Sequence, residues 1–199
     1  MSSKSKRNFV LAMTWGRIWA VVLLILAFYG LPYTELEAST GPICCFIFSA
    51  AALTDWLDGF YARKWNVVTR FGAFLDPVAD KLMVVTALVL LVEHDPRLWL
   101  VLPTIVIISR EMLVSALREW LAHSSAGEVI KVAGLGKLKT IFQMTAIGFL
   151  LYRNDSLFWP VAGFSLYDTG LLLLLIATVL TIWSAWAYLR AAWPRLTAG

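Results

Sequence analysis

Long apolar runs alternate with short polar breaks along the whole of this chain. The runs fall at about 9–31, 41–61, 75–93, 98–122, 138–153 and 169–190. Between them lie turn formers and charges: "LPYTELEASTGP", "RKWNVVTRFG", "EHDPR", "AHSSAGEVIKVAGLGKLK" and "RNDSLFWPVAGFSLYDTG". Most runs approach the roughly 20 residues that carry a helix across a hydrocarbon core of about 30 Å. The pattern predicts an all-α fold, an integral membrane bundle of six transmembrane helices in a single domain spanning 1–199. No internal repeat or low-complexity linker interrupts it.

Composition agrees. Hydrophobic residues make up 60 % of the 199 positions and charged residues only 15 %, against roughly 25 % charged in ordinary globular chains. The basic start "MSSKSKRN" ahead of an apolar run raises the question of a signal peptide. A signal h-region spans about 7–15 residues and ends at a small-residue cleavage site. The run from Phe9 to Leu31 is longer, carries Arg17 inside and lacks such a site, so it is expected to stay as the first span.

Sorting the loop charges gives an orientation. The N-terminus, the second and fourth loops and the C-terminus hold Lys4, Lys6, Arg7, Arg63, Lys64, Arg70, Lys131, Lys137, Arg190 and Arg195. The other three loops hold Arg97 and Arg153, beside Glu35, Glu37, Glu93, Asp95, Asp155 and Asp168. Basic residues concentrate on the cytoplasmic side, which predicts cytoplasmic termini and an even number of spans. Anionic lipid headgroups account for the net charge of +4 without any nucleic acid.

Against this background four carboxylates stand out: Asp55 and Asp58 at the end of the second span, Asp76 and Asp80 at the start of the third. Their i,i+3 and i,i+4 spacings put each pair on one helix face. Acids at membrane depth are costly and turn toward a bundle interior or a wet cavity. Four converging there must be offset, either by protonation or by divalent cations, two of which bring the formal charge to zero. Hard oxygen donors favour Mg²⁺, Mn²⁺ or Ca²⁺ over zinc. Gly59, Ala62 and Gly72, interleaved with the acids, permit either close helix packing or approach of a ligand to the backbone. An N-cap reading accounts for Asp76 before Pro77 but leaves Asp55, Asp58 and Asp80 unexplained.

The full string, Asp55-x2-Asp58-Gly59-x2-Ala62-Arg63-x8-Gly72-x3-Asp76-x3-Asp80, matches without departure the motif of the CDP-alcohol phosphatidyltransferases, and the six-span layout resembles theirs. The resemblance implies transfer of a phosphatidyl group from a CDP-linked donor to an alcohol, with release of CMP. It implies that the four aspartates hold two metal ions, Mg²⁺ or Mn²⁺, on the donor's diphosphate. It places Gly59, Ala62, Arg63 and Gly72 at the donor site and makes Asp80 the general base. A weaker match, "TWGRI", adds Thr14 and Arg17 to the donor-binding residues. Homodimerisation is also implied.

The acceptor must be read elsewhere. In the fourth span, "SREMLVSALREW" places Arg110, Glu111 and Arg118 on one helical arc, and "GKLKTIFQM" adds Lys137 and Lys139 at the same level. Cations at that depth turn inward and suit a phosphate beyond those of the donor. Snorkelling to the interface, or pairing of Arg110 with Glu111 or Glu119, is the competing account. Both segments resemble those of family members that use glycerol 3-phosphate. The expectation is therefore transfer from CDP-diacylglycerol to glycerol 3-phosphate at the cytoplasmic face of a bacterial inner membrane. Another alcohol would share every aspartate. A cation transporter needs access from both faces near the midplane, and these acids sit at one end. "GLGK" lacks the spacing and strand of a P-loop. Cys44 and Cys45 are adjacent, too close to bridge without strain, and read as apolar filler. His94 and His123 have no partner set for hydrolase chemistry.

Overall fold

The computed structural model of the chain describes residues 3–65, 70–123, 135–153 and 165–196. They form six α-helices: α1 (Ser3–Gly30), α2 (Thr40–Trp65), α3 (Arg70–His94), α4 (Leu98–His123), α5 (Leu135–Tyr152) and α6 (Leu166–Leu196). Two 3-10 turns, Leu31–Tyr33 and Glu37–Ser39, link α1 to α2, and no strand occurs among the described residues. The all-α expectation holds.

The helices outrun the apolar runs that announce them: α1 starts at Ser3, α3 at Arg70, and α6 continues to Leu196. A helix satisfies its own backbone and need not stop where the hydrocarbon does. Proline does set several ends. Pro32 follows the close of α1, Pro42 sits in the first turn of α2, and Pro96 lies just past α3. By length and composition four described segments suffice to cross a membrane, Ala12–Tyr33, Glu37–Asp55, Leu98–Leu117 and Leu166–Arg190. Neither α3 nor α5 is among them. The apolar part of α3 begins only after Asp80 and Lys81, and that of α5 is the shorter Leu138–Tyr152.

Packing is most extensive between α5 and α6; α1 lies on α2 and α3, α4 on α6, and α2 on α5. Each helix contributes to one core, through Leu24, Phe48, Leu88, Ile107, Ile147 and Leu174 in chain order. Large apolar side chains such as Trp19, Phe46, Leu102, Val179 and Trp183 point outward, the inverse of a water-soluble surface. Association between such helices rests on close packing more than on exclusion of water, which favours small contact residues. Gly41 shows how close: a Cβ there would lie 2.0 Å from the Tyr152 carbonyl oxygen. A methyl on Gly170 would come within 3.0 Å of Phe149 and 3.1 Å of Leu150.

Polar contacts gather at two opposite ends. At one end Arg153 leaves α5 in the left-handed region, with φ 54°. Its guanidinium lies 5.0 Å from the Phe28 ring and donates to His94 Nδ1 at 2.7 Å. Beside it, Arg97 grips Asp95 with two bonds of 2.7 Å, Nε to Oδ1 and Nη2 to Oδ2, and the Tyr167 hydroxyl donates to the same carboxylate. This clasp ties the turn after α3 to the start of α6. The candidate site residues lie at the other end.

Candidate functional site at the carboxylate end

Asp55 is held on the second half of α2 and Asp80 on the first half of α3. Consecutive helices reverse direction, so the end of α2 and the start of α3 come to the same level. Arg17, buried in the middle of α1, donates to Asp55 Oδ1. Thr14, one turn earlier, is fully buried. Asp80 is exposed at the edge of the same region, within electrostatic reach of Asp55, Arg17 and Glu111.

Beyond Asp80 a second set of charges spans α3, α4, α5 and α6. Lys139 is only 3 % exposed, and its ammonium donates to Glu111 Oε1. Arg110 reaches the same Oε1 through Nη1 at 3.2 Å and Ser184 Oγ through Nη2 at 2.9 Å. Its Nε is buried and makes no hydrogen bond among the described residues. Lys81 donates to Ser115 Oγ, whose hydroxyl in turn donates to the Glu111 backbone carbonyl at 2.6 Å. Low-dielectric surroundings strengthen each of these bonds and make an unpaired member expensive. Glu111 is therefore the hub that lets two cations sit in the bundle interior.

A cleft of about 70 Å³ opens between α3, α4 and α5. Asp80 and Lys81 form one wall, Glu111 another, and Thr140 and Gln143 the third. Of the aspartates and cations singled out in the sequence, the structure brings Asp55 to Arg17, and Arg110 to Lys139 through Glu111. Asp58, Gly59, Ala62, Arg63, Gly72 and Asp76 have side chains outside the described ones, as do Arg118 and Lys137. Among the described residues no three metal-ligating side chains come together. Asp55 and Asp80 do fit a hard divalent ion in kind, as carboxylates from adjacent helices at one bundle end. Sequence reasoning passed over Lys81 and Gln143. The only signal for Gln143 is an amide set in the apolar stretch of α5, where polar groups are costly.

A family model described as CDP-alcohol phosphatidyltransferase matches residues 8–187, and the chain belongs to that family. Its relatives are more specific. It is 47% identical over 188 residues, 94% of each chain, to the CDP-diacylglycerol–glycerol-3-phosphate 3-phosphatidyltransferase of Haemophilus influenzae. The protein of the same name from Sodalis glossinidius is 47% identical over 183 residues, 90% of this chain and 93% of the relative. That from Yersinia pestis is 45% identical over 186 residues, 92% and 95% of the two chains.

Proposed function

We propose that this chain is a phosphatidylglycerophosphate synthase, transferring the phosphatidyl group of CDP-diacylglycerol to glycerol 3-phosphate with release of CMP. The relatives' names point the same way over nine-tenths of the sequence. The observation that carries the reading is the juxtaposition of two kinds of site at one end of the bundle. Asp55 on α2 and Asp80 on α3 stand at one end, and next to them lies a cleft lined by Asp80, Lys81 and Glu111, the last of which holds Arg110 and Lys139. A second, anionic substrate accounts for those cations; serine or inositol would not call for them.

Asp55, Asp58, Asp76 and Asp80 would hold the divalent ions, Mg²⁺ or Mn²⁺, that neutralise the diphosphate when bound. The remaining steps belong to side chains. Gly59, Ala62, Arg63 and Gly72, with Thr14 and Arg17, seat the donor, and Arg17 fixes the carboxylate of Asp55. Lys139 and Arg110, with Arg118 and Lys137, seat the acceptor phosphate. Asp80 accepts the proton of the acceptor's terminal hydroxyl as that oxygen bonds to phosphorus. The bond from phosphorus to the bridging oxygen breaks, and CMP leaves with the electron pair.

The reading includes six crossings, with α3 and α5 completing the bundle as antiparallel partners of the longer spans. The charge asymmetry of the loops supports a cytoplasmic site in a bacterial inner membrane. The homodimer rests on the family resemblance alone.

The test is CMP release by purified protein with CDP-diacylglycerol and Mg²⁺, offered glycerol 3-phosphate, serine, inositol or phosphatidylglycerol. Turnover with glycerol 3-phosphate only, abolished by EDTA and restored by Mg²⁺, is expected. Asp80→Asn should lower it by about 10²–10⁴-fold while the protein keeps its unfolding temperature. Turnover confined to another alcohol would remove the acceptor assignment, and EDTA-resistant turnover the metal.

A further inference from the structure

Among the polar groups that line the cleft between α3, α4 and α5, Gln143 has no part in the assigned chemistry. Gln143 is 5 % exposed, lines the cleft, and makes no hydrogen bond among the described residues. Its neighbours there are engaged. Lys81 is bonded to Ser115, Glu111 to Lys139 and Arg110, and Asp80 is the proposed base. The residue is almost fully covered, yet its amide stays open to the cleft, so a ligand entering there meets an amide that no described side chain has already engaged. The size of the cleft limits that ligand. At about 10–15 Å³ for each water-sized position, 70 Å³ admits only a handful of heavy atoms. That suits a short three-carbon polyol.

We infer that Gln143 is a specificity-determining residue of the acceptor site, hydrogen-bonding the middle hydroxyl of the three-carbon acceptor. The inference rests on the proposed use of glycerol 3-phosphate and adds to it the group that recognises the glycerol. A secondary hydroxyl both donates and accepts, and an amide is the side chain that answers both at once. The placement is consistent along the cleft. The terminal hydroxyl meets Asp80 on one wall, and the phosphate lies toward Lys81. The middle carbon then faces α5, where Gln143 stands one turn from Thr140. A site built around that hydroxyl rejects an acceptor lacking it, because the amide is then buried unpaired.

The test compares glycerol 3-phosphate with 3-hydroxypropyl phosphate, which lacks only the middle hydroxyl, in wild type and Gln143→Leu. Wild type should favour glycerol 3-phosphate by about 10–100-fold in kcat/KM. Gln143→Leu, close in volume and suited to an apolar helix, should lose that preference. The loss should come from glycerol 3-phosphate, with the deoxy acceptor changing by less than about threefold. An equal fall with both acceptors marks a packing role and overturns the inference, as does a preference that survives. Gln143→Met provides the same comparison should the leucine variant not fold, judged by thermal unfolding. If wild type uses neither phosphate acceptor, the proposed reaction fails. If it uses glycerol 3-phosphate and only the variant's discrimination is unchanged, the role of Gln143 alone fails.

Discussion

Glu111 sets the terms for the charges around it. Its carboxylate is shared by Lys139, nearly fully buried, and by Arg110, whose other nitrogen is bound to Ser184. The sequence placed Arg110 and Glu111 on one arc and left open whether the arginine serves a ligand or the neighbouring acid. The structure shows that it contacts the acid, and one-dimensional spacing cannot resolve such a choice, because rotamers decide it. The proposed receptor for a phosphate dianion and an internal ion pair are compatible: the acid would hold the cations in place before an acceptor arrives. This makes a prediction about stability. Removing one member leaves a charge buried without compensation, at a cost of about 3–5 kcal/mol, whereas removing Glu111 and Lys139 together leaves only Arg110 without its acid, still bonded to Ser184. Glu111→Gln and Lys139→Met should each lower the unfolding temperature in detergent, and the double variant should lose less than the sum. A coupling within the usual 0.5–3 kcal/mol range is expected for contacting residues, about the span seen in double-mutant cycles. Strict additivity would show that the pair contributes nothing beyond its separate parts.

Among the elements, the turn between α3 and α4 is the most sharply determined connection. "EHDPR" reads as a break in the sequence, yet nothing in it announces that Asp95 will receive both Arg97 and the Tyr167 hydroxyl from a helix seventy positions away. The break was legible because proline and charge interrupt an apolar run. The clasp was not, because Tyr167 is brought there by the packing of α6. Bidentate hydrogen bonds from Arg97, aided by Tyr167, hold the Asp95 carboxyl down at about 2, against 3.8 for an unperturbed aspartate. A carboxyl with a depressed folded-state pKa stabilises the fold fully above its unfolded value. The contribution drains away as pH falls from 3.8 toward 2, where the folded state too becomes protonated. Thermal stability should therefore decline across that window. Asp95→Asn should be less stable at neutral pH and should show a shallower decline, converging with wild type near pH 2. Parallel curves for the two proteins would mean that other carboxyls govern acid unfolding. The exposed setting of Arg97 keeps the expected effect small, as for other surface ion pairs.

At the scale of the molecule, the six helices were legible because apolar runs of such length have few alternatives, while the helix ends were blurred by the polar turns that extend α1, α3 and α6 past them. The aspartates were legible for the opposite reason, since charge beside a hydrocarbon layer requires an explanation. Gln143 and Lys81 were not, being single polar residues without a spacing pattern. Under the proposed six crossings the Asp95 clasp and the Asp55–Asp80 end face opposite sides of the membrane. Glu35 lies exposed between the two 3-10 turns, and Arg190 lies exposed near the end of α6. With Cys44 and Cys45 replaced by alanine, Glu35→Cys should react with a membrane-impermeant thiol reagent in intact spheroplasts. Arg190→Cys should react only in inverted vesicles, where the cytoplasmic face is outward. Labelling of both from one side would contradict six crossings between cytoplasmic termini, because α3 or α5 would then fail to traverse the bilayer. Exchange of the two sides would preserve the bundle but invert it, putting the carboxylate end away from the cytoplasm and against the charge asymmetry of the loops. Only the expected pattern puts the carboxylates and the neighbouring cleft on the side where the proposed phosphorylated acceptor would be found.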